Sequence, residues 1–202
     1  MFYETAKGHG LPHDPFKAIV APRPIGWISS RDRDGRVNLA PYSFFNALGG
    51  KPPLVGFSSD GRKDSVDNIE ATGEFVASLA TRPLAEAVNR TSATVAHDVN
   101  EFELAGLTMA PSRMVGPPRV AESPAALECR LTQLIQLRDV DGAAIDQWLA
   151  IGQVVGIHID DAYLTDGLFD AVAARSIARC GYRDFTEVTR MFAMTRPAEA
   201  EA

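Results

Sequence analysis

The chain has 202 residues, of which 46% are hydrophobic and 23% charged, as expected for a globular protein with a sizeable core. Its net charge is −6 and its 20 Lys and Arg residues are scattered, which argues against nucleic-acid binding. Without a secretory leader or an apolar run of 18 residues, we expect one cytoplasmic domain over residues 1–202 that does not engage a membrane. Cys129 and Cys180 stand far apart and are expected to be reduced.

The two ends of the chain are predicted to be irregular. Residues 1–17 are rich in Gly, Pro and His and indicate an arm that precedes a core of about residues 15–192, whereas residues 197–202 indicate a frayed tail. His9 and His13 stand four apart, but Gly and Pro between them argue against a helix that presents both to a metal. No metal site is expected.

The first regular elements are predicted to be a pair of strands. Residues 25–30 are typical of a strand that starts after the prolines at 22 and 24. Asp34-Gly35 is a hairpin turn sequence, and a second strand is expected from Val37 to about Ala40.

Residues 38–53 combine aromatic side chains, small polar residues, Gly-Gly and Pro-Pro. This mixture favours an irregular segment packed under a flat ligand, where backbone groups supply specificity. A turn whose aromatic residues pack under the core is the alternative. Composition alone does not decide between them.

A polar octapeptide, residues 58–65, joins a predicted buried strand at residues 54–57 to a predicted two-turn helix that ends at Gly73. Asp64 or Ser65 is expected to cap that helix, which leaves backbone N–H groups pointing back at the loop.

The same octapeptide has the composition of an anion site. Arg62 and Lys63 bring two positive charges, Gly61 permits a close backbone approach, and a helix N terminus carries a partial positive charge. Hydroxyls are supplied by Ser58, Ser59 and Ser65. The stretch therefore predicts a phosphate pocket, with a solvated turn and an ordinary helix cap as the alternative.

The second half of the chain predicts further strands. Strands are expected at residues 74–79, 127–131 and 148–159, the last two joined by an Asp141-Gly142 hairpin. In the strand at 127–131, the odd-numbered positions are expected to face the core and the even-numbered ones solvent. His158 lies on the same strand face as Trp148 and Ala150, where a core or interface histidine with a satisfied ring is favoured over a catalytic one.

Three other segments are less regular. Residues 84–91 predict a helix, and residues 98–118 predict a long excursion that is justified if it contributes to a site. Residues 162–178 indicate a helix only in parts.

Four blocks in order resemble the flavin reductase-like family: Arg23 to Ser30, Asn38 to Asn46, Pro52 to Val55, and Arg62 to Ser65 with Asn68-Ile69. Two later segments also fit this family: Gly152 to Ile159 and Ile177 to Tyr182. The resemblance implies a mainly β fold with short helices, an FMN-binding split β-barrel of Greek-key type, and usually a homodimer with FMN near the subunit interface.

The resemblance also implies roles for individual residues. Residues 29–30 would lie near the isoalloxazine ring, residues 43–47 at its polar edge, and residues 58–65 around the phosphate, with Asp64 capping the helix or orienting Lys63. The implied FMN-binding residues are Ser29, Ser30, Asn38, Ser43, Phe44, Phe45, Asn46, Ala47, Ser58, Arg62, Lys63, Asp64, Ser65, Arg179 and Tyr182.

Two functions remain open from the sequence. One is reduction of FMN by NADH or NADPH, with the reduced flavin supplied to a monooxygenase partner. The other is a flavin-binding carrier or sensor without reductase activity. Nucleophile-elbow and dinucleotide-binding motifs are missing from the sequence, which fits a reaction that the cofactor carries. Pyridoxamine-phosphate oxidation on a similar barrel fits the motifs less well.

Overall fold

The computed structural model describes residues 1–195 and 197, so the predicted frayed tail lies almost wholly outside the described residues. These residues contain four α-helices: α1 (Phe16–Ile19), α2 (Asp64–Thr72), α3 (Ala85–Arg90) and α4 (Glu101–Ala105). The strands are β1 (Arg23–Pro24), β2 (Gly26–Arg31), β3 (Val37–Tyr42), β4 (Phe45–Gly50), β5 (Pro53–Asp60), β6 (Glu74–Leu79), β7 (Met109–Ala110), β8 (Arg119–Val120), β9 (Ala125–Arg138), β10 (Ala144–Ile159), β11 (Leu164–Thr165), β12 (Leu168–Phe169), β13 (Ile177–Arg179) and β14 (Phe185–Glu187).

Seven strands form one antiparallel sheet in the order β3-β2-β6-β9-β10-β5-β4. The predicted hairpins are confirmed, since β2 pairs with β3 and β9 pairs with β10. A separate three-stranded sheet, β1-β13-β14, joins the start of the chain to its C-terminal segment.

The main sheet curls until its two ends meet. Tyr42 on β3 packs on Phe57 of β5 with 4.5 Å between ring centroids, although these strands are far apart in the sheet order. Gly26 on β2 lies under the Phe45 ring of β4, where a Cβ atom would fall 2.5 Å from a ring carbon. The glycine is required for this close approach, and the fold is a split β-barrel.

Two apolar clusters form the core. Inside the barrel, Phe57 and Phe75 meet edge to face and pack with Ile69, which α2 inserts from one end. The second cluster, around Trp27 and Phe102, lies between the barrel and helices α3 and α4.

Several predictions of individual elements are confirmed, and some are wrong. The helix before Gly73 is present, and Gly73 ends it with φ +74°. Residues 38–53 are not irregular, because β3 and β4 occupy most of them. The excursion at 98–118 contains α4 and β7. Residues 162–178 begin in a 3-10 helix (Asp161–Tyr163) and continue as short strands and turns, which agrees with the prediction of helix only in parts. Among the described residues, no helix combines the length and apolarity needed to cross a membrane.

The alternation predicted for β9 is wrong at Glu128, whose side chain is fully buried. Its carboxylate accepts hydrogen bonds from the backbone N–H groups of Arg113 (2.8 Å) and Met114 (2.5 Å), and it pairs with Nε2 of His158. These bonds satisfy the buried charge, so Glu128 does not need solvent. His158 is accordingly a structural histidine with a satisfied ring nitrogen, as its position on the strand predicts.

Candidate functional site

A groove of about 280 Å³ opens beside the N terminus of α2. Its walls come from β3, from the start of α2 and from residues 91–95 in the loop after α3. Five of the predicted binding residues line it: Asn38, Arg62, Lys63, Asp64 and Ser65.

The end of the groove at α2 offers one lysine and backbone N–H groups, while Arg62, Asp64 and Asp67 beside them are paired within the protein. Lys63 is the N-cap residue of the helix and makes no side-chain cap hydrogen bond, so the expectation that Asp64 or Ser65 caps the helix is wrong. The backbone N–H groups of Asp64 and Ser65 have no acceptor among the described residues, and no carboxylate there pairs with the Lys63 ammonium. Free N–H groups and an unpaired cation at a helix N terminus form a site for an anion.

Arg62 lines the same groove, but its guanidinium is already engaged. Asp67 accepts from its Nε at 2.8 Å, and Glu70 pairs with its Nη2. The guanidinium also lies 4.6 Å from the Trp148 ring centroid. The hydrogen bonds that Arg62 donates to Glu70 and Asp67 raise its pKa above the ordinary value. Its charge is therefore largely neutralised by groups of the protein.

The floor of the groove holds a buried hydroxyl without a partner. Oη of Tyr42 is fully buried and forms no hydrogen bond of ordinary geometry with any described residue. The Ser59 and Ser65 hydroxyls are its neighbours, and burial raises the Tyr42 pKa, so the group stays neutral. The Tyr42 hydroxyl therefore lies beneath the groove surface, next to the Ser59 and Ser65 hydroxyls.

A chain of hydrogen bonds fixes the residues around that hydroxyl. With its amide oriented to suit both neighbours, Asn38 accepts from Oγ of Ser65 at 2.8 Å and donates to Oε1 of Glu101 at 3.2 Å. Glu101 also accepts from the backbone N–H of Leu39 at 3.0 Å. Burial raises the pKa of Glu101, partly opposed by that N–H bond. The network orients the wall formed by β3.

Residues 91–97 form the outer wall, and His97 holds this loop in place. Its Nδ1 lies 2.8 Å from Asp64 and its Nε2 3.3 Å from Asp32. The hydrogen bond with Asp64, together with its charge, raises the His97 pKa above its ordinary value. We call the contacts of His97 with Asp64 and Asp32 the His97 clasp. Because the Asp64 carboxylate is engaged in this clasp, Asp64 neither caps the helix nor orients Lys63.

A second hollow of about 340 Å³ continues the groove, since Pro41 and Ser92 line both. We call it the cationic pocket. It contains three of the predicted residues: Ser43, Arg179 and Tyr182. Tyr182 has φ +55°, a left-handed backbone conformation that is uncommon for a non-glycine residue. The backbone carbonyl oxygen of Tyr182 accepts a hydrogen bond from Nη2 of Arg179 at 2.5 Å.

Other predicted residues lie at the margins of this region. Phe44, Phe45 and Asn46 line a shallow outer hollow that shares Ser43 with the cationic pocket. Ala47 is exposed on β4 beyond Asn46, whose side chain accepts from the Ala47 N–H at 2.9 Å.

Three predicted serines are not brought to the groove. Ser29 is completely buried and donates to the carbonyl of Pro118, and Ser30 is buried and accepts from Nδ2 of Asn68 at 3.2 Å. Ser58 lies on β5, where its hydroxyl donates to Gln147 at 3.3 Å.

Sequence reasoning missed several residues of this region. Tyr42 and Glu101 were absent from the predicted site, although Tyr42 lies within the block from Asn38 to Asn46. Their burial beside the groove depends on contacts across the fold and is not a local property of the sequence. His97 gives no pattern either, since its two carboxylates stand 33 and 65 residues away. Arg23, which lines the cationic pocket, does belong to a block that carries the family resemblance.

The geometry provides recognition groups in place of a nucleophile. Donors for an anion at one end, an oriented β-strand and an adjoining pocket suit a long ligand with a phosphate at one end. Both thiols are free, and burial raises the pKa of Cys129 to about 12, so that thiol is not an activated one.

Comparison with known proteins gives a consistent family. Residues 20–175 match the model of the flavin reductase like domain. An uncharacterized protein of Halalkalibacterium halodurans is 36% identical over 183 residues, covering 88% of this chain and 87% of its own length. Another, YwrF of Bacillus subtilis, is 34% identical over 155 residues, covering 73% and 75%.

Solved structures agree with the fold described above. Nitrilotriacetate monooxygenase component B from Bacillus cereus superposes with a TM-score of 0.86 and 28% identity, over 96% of this chain and 98% of that chain. A flavin reductase candidate with a split barrel domain from Shewanella frigidimarina gives a TM-score of 0.80 at 25% identity, over 99% and 100%. On the family match and the identities to its relatives, this chain belongs to the flavin reductase-like family.

Proposed function

We propose that the protein is an FMN-dependent oxidoreductase that uses NADH or NADPH to reduce its flavin. The observation that carries this proposal is the end of the groove at α2, where the Lys63 side chain and two backbone N–H groups without an acceptor among the described residues are available to an anion. The resident ligand of this family is a flavin, and FMN is the flavin that ends in a single phosphate. The groove therefore fits FMN.

Particular residues would hold the phosphate end. Lys63 would provide the compensating charge and the N–H groups of Asp64 and Ser65 the directed hydrogen bonds. Arg62 would serve mainly to hold α2 against Trp148, because Asp67 and Glu70 already occupy its guanidinium.

The rest of the flavin would follow β3 toward the cationic pocket. Pro41 lies on that path, and Ser43 stands at the junction of the cationic pocket and the outer hollow. Tyr182 and Arg179 lie on the far side. Ser29 and Ser30 would not contact the ligand. Their buried hydrogen bonds would fix the position of β2 and, through strand pairing, that of β3.

Bound FMN supplies the hydride chemistry, so the protein needs to position the ring and exclude water. The loop at 91–97 is placed to cover the groove, and Asn38 and Glu101 keep β3 in a fixed orientation. The free thiols support a cytoplasmic setting. Similarity to a monooxygenase component supports a role in delivering reduced flavin to a monooxygenase partner.

The phosphate assignment is tested by a single lysine substitution. Lys63→Met should weaken FMN binding by about 10- to 100-fold, since a hydrogen bond to a charged group contributes roughly 1.5–3 kcal/mol. Riboflavin, which has no phosphate, should bind wild type and variant equally. Lys51→Met, in the turn between β4 and β5, is the matched control. Equal affinity of the wild type for FMN and riboflavin would remove the phosphate site.

The reductase activity is tested separately from binding. Under anaerobic conditions, NADH or NADPH should bleach the visible absorption of the FMN-loaded protein, and oxygen should restore it. The alternative function, a carrier or sensor, requires FMN that stays oxidised with either nucleotide and is reduced by dithionite. That result would exclude the reductase and leave flavin binding intact.

A further inference from the structure

The cationic pocket has a charge that nothing around it balances. Lys17, Arg23 and Arg179 line it, and its lining includes no Asp or Glu. Among the described residues, none of the three forms a salt bridge. The chain as a whole carries 26 acidic and 20 basic residues, so three cations without a carboxylate stand out from the average surface.

Arg23 is the residue that makes the pocket unusual. Its side chain is held inside the fold, with 7% of the residue exposed, and its Nε has no hydrogen-bond partner within the part of the chain that the structure describes. The two Nη atoms donate to backbone carbonyls, including that of Cys180 at 3.0 Å, which bind the donors without neutralising the charge. A buried guanidinium without a counter-ion is costly, and an anionic ligand would offset that cost.

The remaining lining describes the rest of the ligand. Ile25, Val88 and Phe185 provide an apolar surface, and the hydroxyl of Ser43 is available for hydrogen bonding. Arg179 lies 4.5 Å from the Phe185 ring centroid, so the cation stands directly beside the apolar wall. This combination suits a planar apolar body that carries one oxyanion.

We propose that the cationic pocket binds the anionic group of the second substrate, a planar organic molecule that carries a carboxylate or a phosphate ester. The inference rests on the proposed function in one respect: a ligand in this pocket lies next to the groove assigned to FMN, since Pro41 and Ser92 line both. Two sources share the chemistry, an aromatic acid and the phosphate of a nicotinamide nucleotide.

Calorimetry with matched pairs of probes tests the proposal. Benzoate is compared with benzamide, and nicotinamide mononucleotide with nicotinamide riboside, each with the FMN-loaded and the FMN-free protein. At least one anion should bind about tenfold more tightly than its neutral counterpart. A preference within the first pair identifies an aromatic acid as the source, and one within the second pair identifies a nucleotide phosphate.

Substitutions locate the effect. Lys17→Met should weaken anion binding by about tenfold and leave FMN affinity unchanged. Arg82→Met is the control, because Arg82 lines the neighbouring hollow together with Glu86 and Glu187. Arg23 is left intact, since its bonds to three carbonyls make it part of the fold.

The outcomes separate this proposal from the assignment of FMN to the groove. Equal affinity for the charged and neutral members of both pairs would overturn the anion site. Loss of FMN affinity in Lys17→Met would overturn it too, by assigning the pocket to the flavin itself. Anion binding by the FMN-free protein, in a chain that fails to bind FMN, would support the pocket and contradict only the proposed cofactor.

Discussion

Arg62 and Lys63 are adjacent and carry the same charge, yet the fold gives them different surroundings. The guanidinium of Arg62 reaches over the first turns of α2 to Asp67 and Glu70. Lys63 occupies the N-cap position, and its ammonium pairs with no carboxylate of the described residues. The difference arises because residues 67 and 70 stand three apart on one face of α2, within reach of the longer side chain. Of the two, Lys63 has its charge available for a ligand.

His97 is the residue from which a pH dependence is expected. Its pKa is raised in the folded state, chiefly by the hydrogen bond and charge of Asp64. The clasp therefore stabilises the loop fully below the ordinary histidine pKa, and this contribution is lost as pH rises through the higher folded pKa. Hydrogen exchange of residues 93–95, corrected for intrinsic rates, should accelerate over that interval.

Replacing the imidazole separates this effect from others. His97→Asn should accelerate exchange at the lower pH and remove the change with pH. His13→Asn, on the N-terminal arm next to Tyr182, is the control and should retain the change of exchange rate with pH. An unchanged exchange profile in His97→Asn would show that the loop is held by other contacts.

At the scale of elements, β9 and β10 illustrate how a buried charge ties a loop to the barrel. Glu128 on β9 binds the backbone of residues 113–114 and the ring of His158 on β10. The register of these strands shifts between Val154 and Gly156, next to Glu128. This irregularity and the overlying loop enclose a side chain that simple alternation would expose.

Glu128→Gln is expected to lower the free energy of unfolding at neutral pH by about 1.5–3 kcal/mol, because an amide presents an N–H₂ group to donors that need an acceptor. Burial alone would raise the Glu128 pKa, but hydrogen bonds from Arg113, His158 and Met114 lower it overall. Its stabilising contribution is therefore present above the ordinary glutamate pKa and is lost as pH falls through the folded value.

Urea denaturation at a series of pH values measures both effects. The wild type should lose stability toward acid pH more steeply than Glu128→Gln does. Glu86→Gln, on the exposed face of α3, should follow the wild type. Parallel profiles for wild type and Glu128→Gln would mean that the bonds of this carboxylate do not stabilise the fold.

Local patterns predicted some elements well and others poorly. The helix that ends at Gly73 and the two hairpins follow from turn residues and periodicity, which are local properties. The strands within residues 38–53 were not predicted from local patterns. The strands β3 and β4 form by pairing with β2 and β5, and local composition does not encode that pairing. In the site, the charged octapeptide was visible in sequence, whereas the Tyr42 hydroxyl and the His97 clasp depend on contacts across the fold.

For the whole molecule, the split barrel was anticipated from the family resemblance and not from composition. Closure depends on Gly26 accepting the Phe45 ring and on Tyr42 meeting Phe57, contacts between strands distant in the sheet order.

The closed sheet leaves apolar side chains outside. Ile19 and Val20 before β1, with Phe44 and Leu48 around β4, border one hollow of about 480 Å³ and are 74%, 47%, 38% and 52% exposed.

We expect this apolar surface to be the interface of a homodimer. An apolar patch of this kind is seldom left exposed to water. In a twofold interface, each of these residues is buried in both protomers. Full burial of an isoleucine side chain is worth about 1.5–3 kcal/mol, so Ile19→Asp should weaken dimerisation by well over tenfold.

Light scattering after size-exclusion chromatography at micromolar concentration measures the result, with FMN bound. The wild type should have the mass of a dimer, and Ile19→Asp should shift toward the monomer with its circular dichroism spectrum retained. Leu168→Asp is the control, because Leu168 is 72% exposed on the separate β11–β12 hairpin. If Leu168→Asp dissociates the dimer and Ile19→Asp does not, the interface lies at that hairpin. A monomeric wild type would instead leave the apolar surface without a partner in its own chain, and would contradict the homodimer.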